Sequence, residues 1–181
     1  MKAVPTVIPE VKIIEPKVFG DDRGFFFESF NRRRFAELIG RDTDFVQDNH
    51  SRSVQGVLRG LHYQIRHPQG KLVRVVHGEV LDVAVDVRRS SPTFGQHVTI
   101  ELSAENKRMF WMPEGFAHGF LVISDMAECL YKTTDYWHPE HERCIRWNDP
   151  HLAIDWGGQD KPALSEKDAQ GKAFTEAELF L

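Results

Sequence analysis

Hydrophobic and polar residues alternate with a period of two along most of the chain. In the segment Val80–Arg88, aliphatic residues alternate with Asp82, Ala84 and Asp86. A β-strand directs successive side chains to opposite faces, so this segment predicts a half-buried strand with one apolar and one polar face. Three further segments show the same alternation and are also predicted strands: Val98–Ser103, His118–Ser124 and Glu128–Trp137.

The predicted strands are short and are separated by turn signals such as "HPQG", "SSPTFG" and "PEG". Many short strands at close spacing are typical of an all-β sandwich or barrel. Helices are indicated at only two places. Asn31–Gly40 begins on a capping asparagine and ends on a glycine, and the C-terminal region has a serine cap at Ser165 followed by short helical turns.

The length and composition narrow the class of protein. With 181 residues and no repeat, linker or low-complexity run, residues 1–181 are predicted to form a single domain. The net charge of -4 argues against a surface that binds nucleic acid or an anionic membrane. The first twenty residues carry too many prolines and charges for a signal peptide, and no apolar segment approaches membrane-spanning length. We therefore expect a cytoplasmic protein with neither nucleic acid nor membrane as a partner.

The segment Gly56–Arg74 concentrates basic and titratable residues where the pattern predicts a sheet. Arg59 and His62 are three residues apart, so a regular strand would direct them to opposite faces. A bulge, which Gly56 or Gly60 would permit, would bring them to one face. The alternative is an edge strand with solvated basic side chains and one hydrogen-bonded histidine.

Further candidates for chemistry lie later in the chain. His118 opens an apolar strand after a proline and glycine turn, where an imidazole either performs chemistry or is a hydrogen-bonded core histidine. Tyr131 and Tyr136 in "YKTTDYW" are five residues apart and would face opposite sides of a regular strand. The alternative role for both tyrosines is aromatic packing with the hydroxyl at the surface.

The histidines and cysteines do not predict a metal site. A cupin-like metal centre needs two histidines at i and i+2, and "LHYQIR" supplies only one. His138 and His141 are separated by a proline, so we expect them to lie exposed in a loop. Cys129 and Cys144 have neither a CxxC nor a zinc-site spacing and are expected to be buried thiols.

Several longer motifs resemble the dTDP-4-dehydrorhamnose 3,5-epimerase family, in order and over nearly the whole chain. The resemblance implies a cupin-type jelly roll, a homodimer, and an epimerisation that uses no metal ion or other cofactor. The segments that carry it are "VFGDDRGFFFESFN", "FVQDNHSRS", "GVLRGLHYQ", "QGKLVRV", "GEVLDVAVDVRRSSPTFG", "LSAENKRMFWMPEGFAHGF", "YKTTDYW" and "LSEKD".

The resemblance also implies a reaction and its catalytic residues. Inverting C3 and C5 of dTDP-4-dehydro-6-deoxy-D-glucose would give dTDP-4-dehydro-L-rhamnose, an intermediate of dTDP-L-rhamnose biosynthesis. His62 would be the base and Asp168 would orient its imidazole. Tyr131 would donate a proton on the opposite face, and Lys71 would stabilise the enolate. Three of these residues have alternative structural roles. Lys71 could be a solvated turn lysine, Asp168 a carboxylate at a helix start and Tyr131 a core aromatic residue.

Substrate binding would use a second set of residues. The family motifs suggest Arg23 and Arg59 for the diphosphate, because guanidinium groups bind phosphate in a bidentate manner. The other implied binding residues are Glu28, Gln47, Asn49, His118, Glu142 and Lys167. In the family the segment with Arg23 and Glu28 reaches into the neighbouring subunit, so a dimer would complete each site. Phe19 and Phe26 could stack on thymine or pack between subunits, and both alternatives stay open.

Two other classes of protein are alternatives to this epimerase. A C3-only epimerase or a ketoisomerase on a related sugar nucleotide would keep the nucleotide site and His62 but differ in the reach of Tyr131. A carbohydrate-binding β-sandwich would present exposed aromatic platforms and would not need His62, Lys71, Tyr131 and Asp168 to converge. His97 stands where a large aromatic residue is expected, which could alter contacts with the nucleotide.

Overall fold

The computed structural model describes residues 1–181 and consists mainly of antiparallel β-strands. The α-helices are α1 (Arg32–Ile39) and α2 (Glu166–Ala169), and single 3-10 turns lie at Pro139–His141 and Phe174–Glu176. The strands are β1 (Lys2–Pro5), β2 (Lys12–Glu15), β3 (Val18–Asp21), β4 (Gly24–Phe27), β5 (Gln47–Val54), β6 (Leu58–Gln64), β7 (Lys71–His77), β8 (Glu79–Asp86), β9 (His97–Ser103), β10 (Met109–Met112), β11 (Phe116–Val122), β12 (Met126–Thr133) and β13 (Glu142–Cys144).

Two large sheets form the body of the fold. One has six strands in the order β1-β2-β10-β7-β12-β5, and the other has five in the order β13-β6-β11-β8-β9. Strands β3 and β4 form a separate hairpin. The two large sheets share one apolar core, which is the jelly-roll architecture of the predicted all-β class. None of the helices reaches the length and hydropathy that a membrane-spanning helix needs.

The largest hydrophobic cluster joins the two sheets. It contains 16 buried residues, among them Val73 of β7, Val80 of β8 and Phe120 of β11. A second cluster of 14 buried residues covers the other face of the five-stranded sheet with C-terminal side chains such as Trp156 and Phe174. The five-stranded sheet is therefore buried on both faces.

Burial on both faces overturns one prediction from the sequence. The segment Val80–Arg88 was expected to be half-buried, yet Asp82, Ala84 and Asp86 are as fully buried as Val83 and Val85. Hydrogen bonds within the protein offset the cost of burying these two carboxylates. Asp82 pairs with a histidine, and Asp86 accepts hydrogen bonds from an arginine and two hydroxyls. The polar face of β8 therefore faces the protein interior rather than solvent.

The other predicted elements are confirmed with small shifts at their ends. The alternating segments occur as β9, β11 and β12, although β12 ends at Thr133 and leaves Tyr136 in a loop. Helix α1 is capped by Asn31, whose side chain accepts from the Arg34 N–H at 3.1 Å, and it ends at Gly40. It packs Phe35 against the outer face of the six-stranded sheet.

The predicted bulge is present where β6 pairs with β11. His62 pairs with His118 and Arg59 pairs with Phe120, so three steps along β6 match two along β11. Gly60 has a φ of 118°, and a Cβ at this position would lie 2.6 Å from the carbonyl oxygen of His118. Only glycine fits this conformation and this close approach.

Candidate active site

A polar cavity of about 400 Å³ opens between the two sheets. Strands β5, β7 and β12 contribute from the six-stranded sheet, and β6, β11 and β13 contribute from the five-stranded sheet. Nine of the twelve site residues expected from the sequence line it: Gln47, Asn49, Arg59, His62, Lys71, His118, Tyr131, Glu142 and Lys167. The bulge in β6 explains why Arg59 and His62 reach the same cavity.

Asp168 lies directly behind His62. Its Oδ1 is 2.6 Å from His62 Nε2, and the aspartate is 3% exposed. Its position is set by the cap of α2, because Ser165 accepts from the Asp168 N–H and donates its hydroxyl to Oδ2 at 2.6 Å. The Gly60 N–H donates to the same Oδ1 that contacts His62. The carboxylate is therefore held in one orientation.

The pKa of Asp168 determines which nitrogen of His62 carries the proton. Burial raises the pKa of Asp168, but hydrogen bonds from His62 and Ser165 outweigh burial and lower the pKa to about 2. The carboxylate is thus ionised at neutral pH and can only accept a hydrogen bond. His62 Nε2 must therefore carry the proton, which leaves the lone pair on Nδ1.

Lys71 and Tyr131 lie on the opposite sheet. Lys71 of β7 pairs with Thr133 of β12, so Lys71 and Tyr131 are diagonal neighbours on one face. Lys71 is 8% exposed, and burial lowers the pKa of its ammonium to about 8. Burial also raises the pKa of the Tyr131 phenol, and the charge of Glu142 adds to this effect. At neutral pH the cavity therefore holds a protonated phenol and an ammonium group.

Glu142 and Lys167 form an ion pair beside His62. Lys167 Nζ lies 2.9 Å from Glu142 Oε1, which is 3.9 Å from His62 Nδ1. Burial raises the pKa of Glu142, but the hydrogen bond from Lys167 and the positive charge of Lys167 lower it overall. Trp137 closes this side of the cavity, with its indole N–H directed at the Glu142 carboxylate at 3.5 Å.

A second histidine and aspartate pair, His118 and Asp82, lies beside His62 on the five-stranded sheet. His118 Nε2 is 2.8 Å from Asp82 Oδ1, and the aspartate has no exposed surface. Asp82 Oδ2 makes no hydrogen bond within the protein. Because His118 pairs with His62 across β6 and β11, the two imidazoles are neighbours on one sheet. His118 is thus a hydrogen-bonded histidine that also lines the cavity.

Two of the expected binding residues lie outside this cavity. Arg23 is in the turn of the β3–β4 hairpin, where its guanidinium binds Asp21 at the surface. Glu28 accepts a hydrogen bond from Asn31 at the start of α1. The hairpin also exposes 54% of Phe19 and 72% of Phe26. Within one chain, the hairpin therefore adds nothing to the cavity.

Several cavity residues were missed by the sequence analysis. Ser51 follows Gln47 and Asn49 at the spacing of one strand face, so the alternation of β5 could have identified it. Gln69 and Trp137 also line the cavity, and they lie in the motifs "QGKLVRV" and "YKTTDYW" that carry the family resemblance. No local signal marks Phe120, which resembles any core residue. His97 does not line the cavity of the single chain, so its effect on contacts with the nucleotide stays a prediction.

Both cysteines are free thiols. Cys129 is buried and Cys144 is half-buried, so the expected burial is complete only for Cys129. Burial raises the pKa of each thiol to about 12. Cys144 lies close enough to His62 and Asp168 for the three to share a metal ion. Asp168, however, is already engaged by three hydrogen-bond donors.

Comparisons with known proteins agree with this geometry. The family model described as dTDP-4-dehydrorhamnose 3,5-epimerase matches residues 5–176. The chain is 69% identical over 180 residues to dTDP-4-dehydrorhamnose 3,5-epimerase of Pseudomonas aeruginosa, covering 99% of both chains.

Solved structures extend the comparison to the fold. A Legionella pneumophila dTDP-6-deoxy-D-glucose-3,5-epimerase in complex with dTDP-4-keto-L-rhamnose matches with a TM-score of 0.95 and 58% identity, covering 98% of this chain and 94% of that one. A 3'-monoepimerase of Streptomyces bikiniensis in complex with dTDP-quinovose matches with a TM-score of 0.89 and 33% identity, covering 97% and 88%. The length, identity and coverage of these matches show that the chain belongs to the dTDP-4-dehydrorhamnose 3,5-epimerase family of isomerases.

Proposed function

We propose that this chain inverts C3 and C5 of dTDP-4-dehydro-6-deoxy-D-glucose to give dTDP-4-dehydro-L-rhamnose. The observation that carries the proposal is the arrangement of groups across the cavity. His62, which Asp168 of α2 orients, projects from the five-stranded sheet, and Lys71 and Tyr131 project from the six-stranded sheet. A sugar between the sheets would have a base on one face and an acid on the other.

The proton transfers follow from the protonation states. The ketone at C4 makes the hydrogens on C3 and C5 acidic, and the Nδ1 lone pair of His62 takes one of them. The electron pair moves to the C4 oxygen to form an enolate. Tyr131 then returns a proton to the same carbon from the opposite face, which inverts it. Exchange with water resets His62 and Tyr131 before the second carbon reacts. Only protons move, so the proposal needs no redox cofactor.

Lys71 stabilises the enolate. Lys71 is 8% exposed and lines the cavity, where low solvent access strengthens the interaction of its ammonium with a developing negative charge. The nearby carboxylate of Glu142 favours the charged form of Lys71, while burial disfavours it. With a pKa of about 8, the lysine is mainly protonated at neutral pH.

The remaining cavity residues suit a sugar nucleotide. Arg59 brings a guanidinium to the cavity, where its Nε donates to Ser53, and its terminal nitrogens are available to a diphosphate. Gln47 and Asn49 form a hydrogen-bonded pair at 2.9 Å that can exchange partners with sugar or nucleoside hydroxyls. Ser51 adds a buried hydroxyl without a hydrogen-bond partner in the protein.

We further propose that a second copy of the chain completes each site. The β3–β4 hairpin stands apart from both sheets with exposed phenylalanines beside Arg23. An exposed apolar hairpin favours burial against another surface, and a two-fold dimer would bury both hairpins equally. Arg23 and Glu28 would then serve the neighbouring cavity. The single domain and the cytoplasmic location expected from the sequence stay predictions.

Hydrogen exchange at the two carbons tests the activity directly. Chelator-treated protein would be incubated with dTDP-4-dehydro-6-deoxy-D-glucose in deuterated water and followed by proton NMR. We expect loss of the C3 and C5 signals with wild-type protein and no loss with His62→Ala. His77→Ala is a matched control, because His77 is exposed at the end of β7. This variant should exchange the hydrogens on both carbons as the wild type does.

The same experiment separates the alternatives. Exchange at C3 alone would replace the proposal by a C3-only epimerase, the activity named for the Streptomyces bikiniensis relative. A product with the carbonyl moved to another carbon would indicate a ketoisomerase. Binding of the sugar nucleotide without any exchange would leave only a carbohydrate-binding protein.

A further inference from the structure

Three side chains outside the catalytic cavity place metal-ligating atoms close together. His67, Asp135 and His138 each offer one ligand atom, and these atoms all lie within 4.8 Å of one another. His67 Nδ1 is 3.4 Å from Asp135 Oδ2. The rings of His67 and His138 stack with their centroids 4.3 Å apart. None of these side chains lines the cavity or takes part in the proposed proton transfers.

The backbone that carries this cluster is held by two glutamines. Gln64, which is 3% exposed, donates from Nε2 to the carbonyl oxygens of His67 and Tyr136 and accepts from the His138 N–H at 2.7 Å. Gln69 donates to the Asp135 carbonyl oxygen at 2.8 Å. These hydrogen bonds fix the main chain. Asp135 Oδ1 accepts from the Tyr136 N–H at 2.7 Å, which leaves Oδ2, the oxygen nearest His67, as its ligand atom. The three side chains thus come together from two separate loops, and a rotation of one of the two stacked imidazole rings would direct both lone pairs at a single ion.

The donor set and its surroundings favour a divalent transition metal. Two ligand atoms bound to tetrahedral Zn²⁺ at ~2.0–2.1 Å are about 3.3 Å apart, close to the His67–Asp135 separation. Imidazole with carboxylate suits Zn²⁺, Co²⁺ or Ni²⁺, whereas Mg²⁺ and Ca²⁺ prefer oxygen ligands alone. His141 stacks on His67 at 5.7 Å, and Glu140 lies 3.5 Å from His138 Nδ1, so negative charge and a further imidazole adjoin the site.

We propose that His67, Asp135 and His138 form a binding site for a divalent transition-metal ion, of which Zn²⁺ is the best match. The site links the turn at His67 to the loop after β12. That loop carries Trp137, which closes one side of the catalytic cavity. A bound ion would therefore brace the cavity wall without touching the reacting atoms. His138 and His141 were expected to be exposed, but both are only partly exposed, because they pack with His67, which is far away along the chain.

Titration with Co²⁺ and Zn²⁺ tests the site. Chelator-treated protein is titrated with Co²⁺ and followed by visible absorption, which reports tetrahedral coordination, and Zn²⁺ affinity is measured by calorimetry. We expect one ion per chain, and a loss of affinity of about tenfold or more in His67→Ala, His138→Ala and Asp135→Asn. His151→Ala is the matched control, since His151 is exposed and distant from the cluster, and it should bind as the wild type does.

A stability measurement and one further variant make the result decisive. Zn²⁺ should raise the melting temperature of the wild type by mass action and leave that of the His67→Ala/His138→Ala variant unchanged. Unchanged Co²⁺ spectra and Zn²⁺ affinity in this double variant would overturn the proposal, as would the absence of binding to the wild type. Binding that is lost instead in Cys144→Ser would place the ion beside His62 and would also overturn it.

Discussion

Asp168 Oδ1 lies 2.6 Å from His62 Nε2, although the two residues are 106 positions apart in the chain. The contact joins a strand of the five-stranded sheet to the short helix α2, and Ser165 and the Gly60 N–H complete the hydrogen bonding of the carboxylate. The helix therefore acts as a positioning element for the proposed base. It also fixes which imidazole nitrogen is available to the substrate.

Replacing Asp168 by asparagine should abolish most of the activity. The amide carries no charge to stabilise a protonated imidazole and no longer selects one tautomer, so we expect kcat to fall by about two to four orders of magnitude. The rate of C3 and C5 exchange measures the effect. Glu166→Gln is the control in the same helix, because Glu166 is exposed and does not contact His62. An Asp168→Asn rate within about twofold of wild type would remove Asp168 from the mechanism.

The pH dependence of kcat/KM should report the protonation state of Lys71. Because burial lowers its pKa to about 8, the ammonium loses its proton as the pH rises through this value, and enolate stabilisation is lost with it. We expect kcat/KM to fall above about pH 8. In Lys71→Arg the charge persists, since guanidinium stays protonated, so the fall should move to higher pH even where the maximal rate is reduced.

A control identifies the titrating group. Lys161→Arg changes an exposed lysine and should leave the alkaline fall near pH 8. If Lys71→Arg keeps the same fall, another group titrates there and Lys71 does not supply the charge. The pH profiles of the three proteins, measured with the same exchange assay, distinguish these outcomes.

Local patterns predicted most of the fold because side-chain period and turn residues are local properties. The strands β9, β11 and β12 and both caps of α1 follow directly from them. The burial of Asp82 and Asp86 did not follow from the alternation. Both lie on the face of β8 that Val80 and Ala84 pack against the six-stranded sheet, while C-terminal segments cover the opposite face with Val83 and Val85. Whether a strand is buried on one face or two is decided by residues far away in sequence.

The candidate site was predicted through motifs rather than through geometry. The spacing of Arg59 and His62 suggested a bulge, and the register of β6 against β11 confirms it. The pairing of His62 with Asp168 could not follow from spacing, because no periodicity relates residues so far apart. The missed Ser51 differs from these cases, since the strand period of β5 placed it on the same face as Asn49.

Gly60→Ala should disrupt the site through packing. A Cβ at Gly60 would lie 2.6 Å from both Gly119 Cα and the His118 carbonyl oxygen, so β6 and β11 would have to separate. We expect a loss of unfolding free energy of about 2–4 kcal/mol from overpacking and backbone strain together. Exchange activity should fall as well, because Arg59 and His62 would no longer share one face.

Gly157→Ala isolates the contribution of backbone strain. Gly157 also has a positive φ, 66°, but a Cβ there would meet nothing within 4 Å. This control should lose only about 1 kcal/mol and keep its activity. Equal losses in the two variants, measured by urea unfolding, would show that the close approach of Gly60 to β11 does not matter for stability.

Complementation between two inactive variants should show which cavity Arg23 serves. Arg23→Ala removes the guanidinium proposed for the diphosphate, and His62→Ala removes the base. When the two proteins are unfolded, mixed equally and refolded, half of the dimers carry one chain of each kind. If the partner subunit's Arg23 completes the cavity, one of the two sites in each mixed dimer is intact. About a quarter of the wild-type activity should then return.

An Arg23 that serves the cavity of its own chain would give a different recovery of activity. If Arg23 folded back onto its own cavity, every site in the mixed dimer would lack either Arg23 or His62, and no activity would return above the mean of the two parents. Arg33→Ala in place of Arg23→Ala is the control, because Arg33 is exposed on α1 and carries no proposed role. That variant should be active by itself, so its mixture with His62→Ala should show simple dilution to about half.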